Sequence, residues 1–261
     1  MARARNTAAP AGGLSARSVL LSVLLGTDPP RLPVQLLVRT TELFGIAEGA
    51  TRTALSRMRD RGELVAEDGW YALASDRLLA RQARQTASRQ ARTRAWLGSR
   101  WLQAVVVPNG RRSASVRNAR RAALAAARLA ELREGVWLRP DNLGDPPAIE
   151  GDDVQWMRSV PDGDPRRLAS RLWDLDAWAG RSDGLQRRMK HLLAPLEAGD
   201  RRVVAEGFVL SADVLRHLQA DPLLPAELLP EGWPGGSLRR QYDQYDAAYR
   251  AVLRDWFAQH S

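Results

Sequence analysis

Between residues 48 and 61 arginines and short hydroxyls are spaced as a nucleic-acid-contacting surface would need them. On a helical wheel of about 100° per residue, Arg52, Thr53, Ser56, Arg59 and Asp60 share one arc, with Arg57 at its edge. Guanidinium forks and hydroxyls are the groups that bond base edges and phosphates. Ala47, Ala50, Thr51, Ala54, Leu55 and Met58 fall on the other arc, which can pack on a core. Taken alone, the helix reads equally well as a solvated amphipathic face. Glu48 in its first turn and Arg59 and Arg61 in its last would simply complement the helix dipole.

The flanking elements favour the first reading. Leu14 to Gly26 predicts a helix with Ser15 as N-cap, an apolar face through Val19, Leu20, Val23 and Leu24, and Gly26 as its stop. Pro33 to Phe44 predicts a second helix, proline at its first position and Gly45 just past its end. The Gly45 turn leads straight into the basic helix, which gives a helix-turn-helix. After Gly62, Leu64 to Leu73 alternates around Asp68-Gly69, the dipeptide of a two-residue type I′ hairpin. Leu64, Ala66, Tyr71 and Leu73 would then cover the helices, with Val65, Glu67 and Trp70 facing outward. Three helices followed by a hairpin predict a winged helix over residues 14–74.

These residues also carry a resemblance. Ser15-Ala16-Arg17-Ser18, Phe44-Gly45-Ile46, Thr51-Arg52-Thr53-Ala54-Leu55-Ser56-Arg57-Met58 and Gly62 resemble the N-terminal domain of the PaaX family of bacterial transcriptional repressors. The candidate DNA contacts are Thr51, Arg52, Thr53, Ser56, Arg57 and Arg59 on the helix, and Asp68, Gly69 and Trp70 on the wing. Arg52 and Ser56 lead as base readers; Thr53, Arg57 and Arg59 are phosphate or base contacts.

Composition sets outer limits. The 261 residues suffice for two or three small domains. No apolar run reaches the ~18 residues of a membrane span, and Met1 to Gly13 reads as a disordered basic tail rather than a signal peptide. The absence of cysteine excludes disulfides and thiolate metal sites and points to the cytoplasm. The net charge of +9 is uneven: 15 basic against 8 acidic residues over 1–95, 9 against 2 over 96–140, and 15 against 20 over 141–261. A polyanion partner suits the first half only.

Ser75 to Arg94 predicts a connecting helix, making 75–95 a linker. Trp101 to Val107 reads as a buried strand broken by Pro108-Asn109-Gly110. A helix from Ser113 to Glu134 follows, then strands at Val136–Arg139 and Asp153–Arg158. This order suits a small α/β sandwich. Trp96-Leu97-Gly98 and Gly135 to Leu143 resemble the PaaX family again, which implies a ferredoxin-like central domain over 96–160, akin to a CRISPR-associated nuclease. A metal-dependent nuclease of that type would need an acid near its first strand, and Trp101 to Val107 has none, so a structural or dimerising role is expected.

Residues 161–261 predict a helical domain. Asp164-Pro165 opens one helix, with Leu168, Leu172, Leu175 and Trp178 on one face; others span Gly184–Ala198, Arg201–Gln219 and Ser237–His260. The prolines of Asp221 to Gly235 make that stretch extended. It resembles the C-terminal signature of the PaaX family, and physically it reads as a strap laying Leu224, Leu228, Leu229 and Trp233 across neighbouring helices.

No metal spacing occurs around His191, His217 and His260, and no nucleophile elbow, P-loop or dinucleotide fingerprint is present. The expectation is a cofactor-free regulator rather than an enzyme: mostly α with α+β, a homodimer binding double-stranded operator DNA. The resemblance further implies an acyl-CoA effector such as phenylacetyl-CoA, for which Trp137, Arg139 and the stripe of Tyr242, Tyr245 and Tyr249 are the candidates. Two rival readings are an RNA-binding or RNA-processing protein using the basic middle, and a DNA binder without an effector.

Overall fold

The computed structural model describes residues 14–27, 29–74, 76, 78, 80, 89–107, 113–145, 149 and 153–259. The tail 1–13, most of the expected linker helix, the Pro108-Asn109-Gly110 break and His260 lie outside them. The described residues form eight α-helices and two small antiparallel sheets. None of these helices is long and apolar enough to cross a membrane.

The chain clusters into two compact units, each assembled from separate segments. One unit takes residues 1–86, 187–212 and 241–261, the other 87–186 and 213–240. Residues 161–261 contribute segments to both units.

In the first unit, α1 (Ala16–Leu25) starts at the Ser15 N-cap, whose hydroxyl accepts from the Ser18 N–H. α2 (Val34–Glu42) begins one residue after Pro33, which ends a short strand, β1 (Arg31–Pro33). Gly45, at φ 71°, makes the left-handed turn into α3 (Glu48–Asp60). β2 (Leu64–Glu67) and β3 (Trp70–Leu73) then close a hairpin on Asp68 and Gly69, whose φ of 45° and 82° suit the expected type I′ turn. β1 pairs with the far side of β3, an addition the sequence reading missed. Leu20, Leu24, Leu37, Leu55, Met58 and Leu64 form the core beneath.

The later segments of this unit come from α6 (Leu175–Glu197), α7 (Val204–Gln219) and α8 (Gly235–Ala258). Here α8 packs on α7 so closely that a Cβ on Gly207 would sit 3.0 Å from the Tyr245 hydroxyl and the Tyr249 ring. Phe44 meets Phe208 edge-on at 5.2 Å.

The second unit holds a four-stranded sheet of β4 (Trp101–Val106), β5 (Ala130–Arg133), β6 (Val136–Pro140) and β7 (Val154–Ser159), in the order β5-β6-β4-β7. The helix expected over 113–134 is shorter: α4 is Ala114–Ala126, and after a turn over 127–129 the chain runs as β5. Arg128 makes the change of direction at φ 64°. One apolar cluster joins Ala104, Leu124, Leu129, Trp137 and Val154. Another joins Trp101 and Leu138 to α5 (Pro165–Leu172) and the proline-rich strap.

The strap behaves as its composition suggests. Leu224 and Leu228 are buried in that cluster, Leu229 and Trp233 pack against it, and Trp233 stacks on Trp178 at 4.5 Å. His217 stacks on the same indole at 4.2 Å, and burial holds its pKa below the ordinary imidazole value. Asn142 donates to the Leu223 carbonyl, and Asp221 pairs with Arg239 at 2.7 Å.

Candidate nucleic-acid interface

The site is built from the buried side of α3 outward. Leu55 and Met58 are 1% exposed and fix the helix on the core. Thr51, also buried, shares a 2.6 Å hydrogen bond between its hydroxyl and that of Thr41 on α2. Thr41 in turn donates to the Val38 carbonyl at 2.7 Å. A buried hydroxyl pair of this kind sets the separation and register of two helices, because leaving either group unbonded is costly.

Two sequence expectations are thereby corrected. Thr51 belongs to the packing between α2 and α3, so it has no surface with which to touch DNA. Ala47 and Ala50, placed on the packing arc by the wheel, are exposed, because the buried arc is only as wide as Thr51, Leu55 and Met58.

The opposite side carries the chemistry. Arg52, Thr53, Arg57 and Arg59 are exposed and Ser56 is half-buried. Arg52 Nε donates to Glu48 Oε1 at 2.7 Å, one turn back, with both side chains more than half exposed. Such a surface pair is worth about 0.3–0.5 kcal/mol and is readily exchanged for a ligand contact. Thr53 donates to the Gly49 carbonyl at 2.8 Å and Arg59 reaches Asp60 at 3.2 Å. On the hairpin, Asp68, Gly69 and Trp70 are all exposed at the tip. Arg31, brought in by β1, lies over the Trp70 ring at 5.4 Å from its centroid, within the range of a cation–π contact.

Arg31, Arg17 and Arg61 were not among the expected site residues. Arg17 makes a two-pronged ion pair with Glu63, through Nη2 at 2.7 Å and Nε at 3.0 Å. That hydrogen bonding holds the Glu63 carboxyl below its usual pKa and raises that of Arg17. Arg17 had a sequence signal inside the Ser15–Ser18 motif and Arg61 one as a last-turn charge of the 48–61 helix; Arg31 had none.

The residues proposed for an effector come from both units. Trp137 and Arg139 belong to one unit, the three tyrosines to the other. All five are buried and engaged by the protein itself. Arg121 lies over the Trp137 ring, and Arg139 donates to Asn142 Oδ1 at 2.8 Å and to the carbonyls of Arg128 and Pro140. Burial, with the nearby Arg128 charge, pushes the Arg139 pKa down to about 9. The Tyr245 hydroxyl donates to the Gly207 carbonyl at 2.9 Å and that of Tyr249 to Val204 at 3.4 Å. Burial raises both phenol pKa values. Among the described residues no group of three or more His, Asp or Glu side chains is arranged to hold a metal ion.

Comparison with known proteins bears on both ends of the chain. A family model described as PaaX-like protein matches residues 15–77, and one described as PaaX-like protein C-terminal domain matches residues 173–259. Among solved structures, the chain is similar to the uncharacterized protein Rv0674 from Mycobacterium tuberculosis. The two are 40% identical with a TM-score of 0.69, over 92% of this chain and 97% of that one. No curated protein matches.

Proposed function

The chain belongs to the PaaX-like family, and from that premise we propose that it is a sequence-specific DNA-binding transcriptional regulator. The observation that carries this is α3. One arc is locked on the core by Leu55, Met58 and the Thr41–Thr51 pair, while the other holds Arg52, Thr53, Ser56, Arg57 and Arg59 in solvent. A helix so anchored presents a fixed set of donors to a groove, and rigid presentation is what base reading requires.

In this reading the first unit contains a winged helix, with α2 and α3 as the helix-turn-helix and the β2–β3 hairpin as the wing. The strand order around β4 is that of a ferredoxin-like sheet. A homodimer places two copies of α3 in successive major grooves of an inverted repeat. The protein is a repressor without enzymatic activity, released from its operator by an aryl-acyl-CoA such as phenylacetyl-CoA, and it works in the cytoplasm.

The test is binding to duplex DNA taken from upstream of the protein's own gene, at fixed salt, with and without phenylacetyl-CoA. Arg52→Ala is expected to weaken the specific complex by about 1–3 kcal/mol and to relax specificity, as loss of a bidentate guanine contact would. Specific binding abolished by the thioester supports the whole reading. Specific binding indifferent to it leaves the DNA role and removes the effector. Equal binding to single strands of the same sequence refutes duplex reading.

A further inference from the structure

Beside the proposed base-reading stripe, α3 carries a second one. Gly49, Thr53, Arg57 and Arg61 recur every four residues and therefore line up along the helix. Next to them lies an open cavity of about 540 Å³, completed by Ser15 and Arg17 from the start of α1. Its lining holds three guanidinium groups and no carboxylate. Small residues keep it open: a Cβ on Gly49 would meet nothing within 4 Å.

Glu63, the acid that pairs with Arg17, is already engaged. It takes the Nε and Nη2 of Arg17, which leaves the Nη1 donors of that guanidinium for another anion. Arg57 and Arg61 make no ion pair with a described residue. The local balance of three arginines against Glu63 is an unneutralised positive concavity, which a phosphate would fill with charge-assisted hydrogen bonds. Its position is also suitable. When Arg52 and Ser56 face the bases, the Gly49–Arg61 stripe is turned by about a quarter to a third of the helix circumference toward the groove wall, where one phosphate strand runs.

We infer that this cavity seats a backbone phosphate of duplex DNA, gripped by Arg57 and Arg61 and by Arg17, which Glu63 holds in place. The inference rests on the reading of α3 as the DNA-facing helix. Its role is to fix the register of the helix in the groove, with Arg17 and Arg61 as contacts distinct from the base readers.

The experiment uses the full chain and two probes: the tightest duplex that the wild-type protein selects from a random-sequence pool, and a scrambled duplex of the same composition. Affinity for each is measured across a salt series for the wild type and for Arg57→Gln, Arg61→Gln, Arg17→Gln and Glu63→Gln. Each arginine variant should lower the log–log salt slope by about one and weaken both probes alike, leaving their affinity ratio unchanged. Glu63→Gln should keep the wild-type slope or raise it, because it removes an acid and frees Arg17. If Arg17 served only as a structural ion pair, Arg17→Gln and Glu63→Gln would lower the melting temperature together and leave the slope as it was. Unchanged slopes for Arg57→Gln and Arg61→Gln, or a collapse of the affinity ratio, would overturn the inference while leaving DNA binding intact. Coenzyme A displacing the duplex from the wild type but not from Arg61→Gln, at equal ionic strength, would also overturn it, by assigning the cavity to a free ligand's phosphates. Absence of duplex binding by the wild type would overturn the DNA reading itself, and the inference with it.

Discussion

Thr51→Val separates packing from recognition at a position that the sequence assigns to DNA contact and the structure to packing. Valine keeps the β-branch and nearly the same volume but has no hydroxyl, so the 2.6 Å bond to Thr41 is lost. The partner is not orphaned, because Thr41 still donates to Val38 at 2.7 Å. The cost is therefore that of one net buried hydrogen bond, about 1 kcal/mol, without a further desolvation penalty. For a chain of this size that corresponds to a fall of about 2–4 °C in melting temperature. A cycle with Thr41→Val should return a coupling of similar size, about 1 kcal/mol, since the two hydroxyls touch directly. DNA affinity, corrected for the folded fraction, should stay within about twofold of the wild type, because Thr51 is fully buried. Calorimetry and fluorescence anisotropy on the same samples give both numbers. An unchanged melting temperature with a tenfold loss of affinity would refute the reasoning and restore Thr51 as a DNA contact.

Short-range chemistry was legible where a residue acts on its own neighbours. Ser15 and Asp164 cap α1 and α5 as expected, and Asp68-Gly69 turns the hairpin, because caps and turns are set by bonds that span only a few residues. The strap was legible in outline for the same reason, its prolines keeping an α-helix out, although Ala226–Leu228 takes a 3-10 turn that the extended reading did not include. What depends on distant partners was not. β1 is three residues long and exists because β3 offers it an edge. β5 was read as helix because Ala123 to Glu134 has helical composition, and its strand pairing with β6 overrides that propensity. The break between the two expected helices falls earlier, at Trp173 in extended backbone, so Leu175 and Trp178 belong to α6, which runs through Gly180 and Gly184, since packing can absorb about 1 kcal/mol per helical glycine. The site shows the same contrast. Periodicity separated Arg52, Ser56 and Arg59 from Leu55 and Met58, but a wheel carries no information on α1, whose first turn brings Arg17 into the cavity from a distant part of the sequence.

Four further perturbations follow from the packing and the charges. Gly207→Ala drives a methyl into the Tyr245 hydroxyl and the Tyr249 ring at 3.0 Å. That overpacking should cost about 1–3 kcal/mol in denaturant unfolding. Gly180→Ala on α6, where a Cβ meets nothing within 4 Å, should instead gain up to about 1 kcal/mol. Gly69→Ala forces an L-residue to φ 82°. This should cost about 1–2 kcal/mol, seen as faster hydrogen exchange of the β2–β3 amides. Glu63→Gln tests the sign of the Arg17 pair. The Glu63 pKa is lowered by that pair, and a carboxyl whose pKa is lowered on folding contributes stability above its unfolded value and loses it as the pH falls through the folded one. The wild type should therefore lose stability in that acid range more steeply than the variant, the two curves converging once Glu63 is protonated. Parallel curves from neutral pH down to full protonation of Glu63 would mean that the pair forms equally well in the unfolded chain, and the ion pair would then have no part in positioning Arg17.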